Sequence, residues 1–370
     1  MIYLDCAATS FQKPPSVRRA VTDAMERFSS PGRGGYPSAM AAAEALYEAR
    51  ETAARFFRVP DPEQVVFTLN ATHGLNIAVR SLVKPGQRVV ISGYEHNAVL
   101  RPLHAIGARI DVAASPLFDP DAAVEAFRKR LPGAQAAVVN HVSNVFGFIL
   151  PLERIAALCR ETDVPLIVDA SQSAGCQPLD FSALGCRFMA MPGHTGLLGP
   201  QGTGLLLCAD EAVEPLLAGG TGSDSANRAM PPYLPDRLEA GTHNMPGIAG
   251  LLAGMRWVER RGAENIARHE AKMRQTVSRA LADAPVRVFE AGADRLQAGV
   301  LSVQLPGLDC EEAAKRLSAR GVAVRAGLHC APLAHQTAGT IEEGTVRLSF
   351  SPFTTEREAR GAAQAIVSVL

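Results

Sequence analysis

The stretch Phe188-Met189-Ala190-Met191-Pro192-Gly193-His194-Thr195-Gly196-Leu197-Leu198-Gly199-Pro200-Gln201-Gly202-Thr203-Gly204 decides how the rest of the chain is read. An apolar run ends in Pro, Gly and His, and a second one, Leu205-Leu206-Leu207, begins just after Gly204. Short apolar runs bounded by Gly and Pro read as buried strands. The segment between them is therefore a loop strung between two strand ends. Its glycines predict a backbone able to approach a ligand closely.

Outward from this loop, strands and helices alternate. Strands are predicted at 65–69, 89–91, 136–139 and 166–168, and each is followed by a polar turn. Helices are expected from Ser38, as N-cap, to Phe57, after Asn70-Ala71-Thr72-His73-Gly74 through about Leu82, and from about Ala98. Apolar strands alternating with helices predict an α/β fold with a mostly parallel sheet covered on both faces. Such sheets bind ligands at the carboxyl ends of their strands. Thr72, His96, Asn144, Asp169, Gln172 and His194 all fall at or just after those ends, which predicts one shared site.

The C-terminal third reads differently. A long polar helix is expected from about Ala263 to Leu281. Strands at 300–305 and 346–350 and helices from Asp309 and Thr355 then suggest an α+β unit. Thr355 and Glu358 have capping-box spacing. The domain expectation is residues 15–255 for a large domain. Residues 256–370, with 1–14 packed against them or at the site, form a small one. Asp5-Cys6-Ala7-Ala8-Thr9-Ser10 reads as an entry turn.

Composition narrows the function. The 370 residues carry no net charge, which argues against a general electrostatic hold on nucleic acid or anionic membrane. No apolar run approaches the ~20 residues of a membrane span. The N-terminus reads as lacking a signal peptide, and the seven scattered cysteines suit a reducing, cytoplasmic setting.

Taken singly, each motif has an ordinary reading. Thr72 could simply cap a helix, Asp169 could be a turn residue, and His96, Asn144 and His194 could be polar turn residues. Gly219-Gly220-Thr221-Gly222-Ser223 could be a mobile loop, Arg347 a surface cation and Cys330 a small buried hydrophobe. A metal site at His329, Cys330 and His335 is disfavoured, because adjacent residues rarely ligate one tetrahedral ion. The ordered set is more specific than its members.

That set resembles the class V aminotransferase and cysteine desulfurase family of pyridoxal 5'-phosphate (PLP) enzymes, whose cofactor loop reads Gly-His-Lys-Gly/Leu with a Gly-Pro-x-Gly-x-Gly tail. Arg325-Ala326-Gly327-Leu328-His329-Cys330 resembles the active-cysteine segment of its group II members, Arg-x-Gly-x-His-Cys. The resemblance covers nearly the whole chain. It implies PLP fold type I, with a seven-stranded sheet in the large domain. It implies a phosphate site at Ala71, Thr72, His73 and His194, His96 stacked on the cofactor ring, Asp169 on the ring nitrogen, and Gln172 and Asn144 near the ring hydroxyl. Asn144, Arg325 and Arg347 would bind the substrate, with Arg347 pairing its carboxylate. Cys330 would take sulfur from L-cysteine as a persulfide, with His329 or the cofactor aiding the thiolate. Thr221 and Ser223 would reach the phosphate of a neighbouring subunit in a homodimer, and a sulfur-acceptor protein would follow. No metal is implied.

One position departs from the pattern. Thr195 stands where the family has the lysine that forms an imine with PLP and moves protons. The five lysines are Lys13, Lys84, Lys129, Lys272 and Lys315, and none follows a strand end in a comparable loop. The expectation is thus a desulfurase-like protein that binds PLP non-covalently and is inactive or strongly impaired. The intact Cys330 and Arg347 favour an engineered exchange of the lysine over gradual natural loss. The alternatives are a selenocysteine lyase or another PLP lyase or aminotransferase of this fold, and a catalytically dead binder of PLP–amino acid adducts.

Overall fold

The structure, a computed structural model, describes residues 1–32, 34–293 and 296–370. Residue 33, in the loop expected at 31–36, lies outside the described residues. Among the described residues seven strands form the main sheet. Their spatial order is Val65–Thr68, Gly204–Cys208, Phe188–Pro192, Leu166–Asp169, Ala136–Asn140, Arg88–Ser92 and Arg109–Ala113. Only Gly204–Cys208 runs against the others, pairing antiparallel with both its neighbours. The three central strands Ala136–Asn140, Leu166–Asp169 and Phe188–Pro192 are buried along their whole length. Continuous apolar strands of this kind need cover on both faces. One face packs on a cluster that includes Phe57, Phe127, Phe148, Ile155 and Met189. The other packs on Leu75, Val79, Val99, Leu103 and Phe188.

Smaller sheets sit beside this layer. Thr345–Ser349 pairs antiparallel with Val300–Gln304 and with Arg325–Gly327, and Arg287–Phe289 pairs with the far side of Val300–Gln304. Ile2–Tyr3 pairs with Val322–Ala323. Asp5 then forms a bridge to Ser349. Residues 6–8 form the expected turn, with the Ala8 amide donating to the Asp5 carbonyl, and the bridge ties that turn to the small sheet.

Local signals set most boundaries. Asp309 caps the Cys310–Ala319 helix, and Thr355 with Glu358 closes the expected capping box on Glu356–Val367. Such a cap stabilises a helix by about 1 kcal/mol. Ser38 is not a cap. The helix is Pro37–Phe57, with Tyr36 at the N-cap and Pro37 in the first turn, where its fixed φ and missing N–H are tolerated.

Candidate active site

The polar strand ends do converge. Thr72, His96, Asn144, Asp169, Gln172, His194 and Thr195 line one cavity of about 700 Å³, together with Ala71, Arg325 and Arg347. It opens at the carboxyl edge of the sheet, because each of these residues follows a parallel strand or lies on the adjoining small sheet.

At one end stands the Ala71–Leu82 helix. Its N-cap is Asn70, whose side chain accepts from the His73 amide at 2.9 Å. With capping done by Asn70, Thr72 is released towards the cavity, and free N–H groups plus a helix dipole make that end suited to an anion. His73 turns away. Its Nδ1 accepts from the Leu69 amide, and its ring lines a separate cavity beside Glu239 and His243. The expected cofactor role of the His73 side chain is therefore not supported by its direction.

Asp169 ends its strand almost fully buried. The Ser171 amide and hydroxyl both donate to one of its carboxylate oxygens. Burial pushes its pKa up, while Ser171 and the nearby His96 oppose the shift. A buried carboxylate in this state is stabilised by an incoming cation. His96 caps the Asn97–Ile106 helix, with Nδ1 accepting from the Ala98 amide at 3.0 Å. That bond needs an unprotonated Nδ1, and burial likewise lowers the His96 pKa. Gln172 donates to the Ala7 carbonyl at 3.0 Å.

His194 is held by its own backbone. Its carbonyl accepts from the Ser10 amide and hydroxyl, from the Thr9 hydroxyl, and from Lys13 Nζ at 3.4 Å. The His194 Nδ1 and the Asn144 Oδ1 are buried with no partner among the described residues. Both belong to cavity-lining side chains, so each is free to hydrogen-bond a polar group held in the cavity.

The Gly-rich loop works differently from expectation. A Cβ at Gly199 would come within 2.9 Å of the Gly193 carbonyl oxygen, and one at Gly196 within 2.6 Å of Cys176 Sγ. These glycines serve close packing of the loop on itself and on its neighbours, not approach to a ligand. Pro192, His194 and Thr195 are the loop residues that face the cavity.

Thr195 is buried, and its hydroxyl donates to the Ser171 carbonyl at 3.0 Å. Lys13 is the lysine nearest this loop. Its ammonium is committed to the Ser10 carbonyl at 2.7 Å and the Ser10 hydroxyl at 2.6 Å. No lysine is among the residues lining the cavity.

Arg347 is 1% exposed. It donates to the Asn144 carbonyl at 3.0 Å and pairs with Asp5 at 2.6 Å, while its Nε has no partner. It is therefore no surface cation. Arg325 lies directly across the strand pair from it. Arg325 also donates to Cys330 Sγ at 3.7 Å. Cys330 is exposed, in a left-handed backbone conformation, and does not itself line the cavity. The expected help from His329 needs correction. Burial and then Arg347, His335 and Arg325 lower its pKa to about 2. It is neutral and supplies no positive charge to the thiol; Arg325 does.

Thr221 and Ser223 bond to one another, and Ser223 to Asp236, away from this cavity. Among the described residues no three His, Cys, Asp or Glu side chains are grouped as a metal site, and no helix is long and apolar enough to cross a membrane. Asp5, Ala7, Ala8 and Lys13 were missed as site-building residues. Small residues near a chain start carry no periodic signal that would flag them.

The fold and this cavity define an α/β protein with a helix N-terminus, a buried carboxylate and opposed arginines at one sheet edge. Residues 2–360 match the family model described as "Aminotransferase class-V". The chain is 32% identical over 373 residues to the "Probable cysteine desulfurase" of Methanothermobacter thermautotrophicus, covering 96% of this chain and 92% of that one. It is 33% identical over 379 residues to the "Probable cysteine desulfurase" of Mycolicibacterium paratuberculosis, covering 97% of this chain but only 54% of that longer protein. The apo structure of a cysteine desulfurase from Thermococcus onnurineus superposes with a TM-score of 0.91 at 30% identity, covering 100% of this chain and 95% of that one. This chain belongs to the class-V aminotransferase family, and its cysteine desulfurase relatives are PLP-dependent enzymes.

Proposed function

We propose that this chain is a cysteine desulfurase-type protein that binds PLP without a covalent tether and acts on L-cysteine slowly or not at all. The observation that carries the reading is one cavity that gathers Ala71, Thr72, His96, Asn144, Asp169, Gln172, His194, Arg325 and Arg347 around Thr195. Its unpartnered polar atoms on Asn144, His194 and Arg347, and its buried Asp169, fit a polar, partly cationic ring with an anionic tail. When bound, PLP supplies an electron sink that labilises bonds at the substrate Cα.

The chain's own residues then have defined work. Ala71, Thr72 and His194 hold the phosphate at a helix N-terminus. Asp169 keeps a proton on the ring nitrogen, and Ser171 keeps Asp169 in place. His96, in its neutral form, would line the face of the ring. Asn144 and Gln172 orient the ring hydroxyl, and Arg347 and Arg325 take the substrate carboxylate. Cys330, exposed beside Arg325, would attack the γ-sulfur as a thiolate; the Cβ–S bond would break with its electron pair left to carbon, which takes up a proton to give alanine, and an acceptor protein would remove the persulfide sulfur. Thr195, with its hydroxyl spent on Ser171, neither tethers the cofactor nor moves a proton. A homodimer would bring the 219–223 loop of a second copy towards the phosphate end.

An absorbance spectrum of the purified protein with PLP, before and after L-cysteine, tests this. A bound-cofactor band that shifts on adding cysteine, with no cofactor fixed to protein by borohydride, is the expected result. Covalent fixation to a lysine, or full desulfurase turnover, would overturn it.

A further inference from the structure

The corner of the cavity that faces a substrate carboxylate has an unusual charge arrangement. Arg325 and Arg347 are directly opposed in the antiparallel pair Arg325–Gly327 and Thr345–Ser349. Directly opposed residues in such a pair share a face, and like charges there repel. Both side chains line the cavity. Asp5 approaches Arg347 from the N-terminal segment, fixed by its backbone bridge to Ser349, and does not line the cavity.

We propose that Asp5 is a specificity-determining residue that holds this corner at one net positive charge, so that the site selects amino acids with a single carboxylate. The inference rests on the functional reading above and names its substrate class.

The charge count is short. Two guanidiniums and one carboxylate leave one positive charge, which one substrate carboxylate neutralises. Other titratable groups around the cavity do not alter this. His329 is neutral through burial, and His96 is held with an unprotonated Nδ1. Asp169 is held by Ser171. A second carboxylate on the substrate would be uncompensated in this half-buried corner, where solvent screens it only in part. Because Asp5 stands behind Arg347, it sets charge and orientation without blocking the ligand. Arg347 keeps its bond to the Asn144 carbonyl and an unpartnered Nε.

The test loads the full-length protein with PLP and titrates it with L-alanine and with L-aspartate, reading dissociation constants from the cofactor absorbance. These ligands differ by one carboxylate. In the unchanged protein alanine is expected to bind more tightly. In Asp5→Asn the affinity ratio should move towards aspartate by about tenfold, the effect of one added charge at this range. In Asp5→Asn combined with Arg325→Gln the ratio should return to near that of the unchanged protein. A folded Asp5→Asn with an unmoved ratio overturns the inference while leaving cofactor binding intact. If that variant does not fold, Arg325→Gln alone should move the ratio about tenfold away from aspartate, and no movement overturns the inference. Failure of the unchanged protein to bind cofactor sinks the functional reading and this inference together.

Discussion

The hydroxyl of Thr195 donates to the carbonyl of Ser171 at 3.0 Å, and Ser171 in turn grips the carboxylate of Asp169. The position where the family resemblance leads one to expect a cofactor-binding amine is here a small side chain locked to the backbone. Its polar atom is satisfied, so it imposes no cost on the fold.

Thr195→Lys should therefore restore chemistry without rebuilding the site. The expected gain in cysteine desulfuration is a hundredfold or more, in line with about 10²–10⁴ for a positioned acid–base group. Sulfide release with a thiol reductant measures it, and borohydride should then fix cofactor to residue 195. A lysine that is fixed but gives no turnover would favour a pure binding protein.

Cys330→Ala, made in the Thr195→Lys background, should abolish sulfur release while leaving the cofactor spectrum unchanged. Cys330 is exposed; its thiol meets Arg325, and its carbonyl accepts from the Asn97 amide beside His96, a bond the Cys330→Ala exchange leaves in place. Weakened cofactor binding in this variant would contradict that placement.

Arg50 and Glu239 form a buried bidentate pair away from the cavity described above. Burial acts to raise the Glu239 pKa, but Arg50 and His243 outweigh it and hold it at about 2. Arg50→Met should cost about 3–5 kcal/mol in denaturant unfolding, because it strands a buried carboxylate. In the unchanged protein, the stability this pair supplies is complete above the ordinary carboxylate range. It is lost as pH falls towards 2.

Glu270 shows the opposite sign. It is buried beside Cys176, and burial pushes its pKa up to about 8. The folded state therefore holds a proton that the unfolded chain releases near pH 4.5, and stability falls as pH rises from there to about 8. Glu270→Gln should remove this dependence and stabilise the protein at pH 8 and above by on the order of 3–5 kcal/mol. Thermal melts across pH read it directly; parallel melting curves for the two proteins would refute the assignment.

Much of the fold was legible because local periodicity and strand ends are local properties. The runs at 136–139 and 166–168 could hardly be anything but buried strands, and Thr355 with Glu358 announced a helix start. The site was legible at Thr72, His96, Asn144, Asp169 and His194, since each directly follows a strand. It misled at His73, whose ring belongs to another cavity, and at the loop glycines, whose purpose is packing. It misled at His329 too, where burial cancels the charge that a histidine beside a cysteine suggests.

By itself the sequence determined the layered α/β architecture, the edge of the sheet that carries the site, and the absence of an amine at position 195. These follow from residue order and spacing alone. The tertiary structure alone decided that Arg347 is buried against Asp5, that it faces Arg325, and that Lys13 reaches the His194 carbonyl of the loop. Those partners lie far apart along the chain. Strand register and packing, which no local pattern encodes, bring them together.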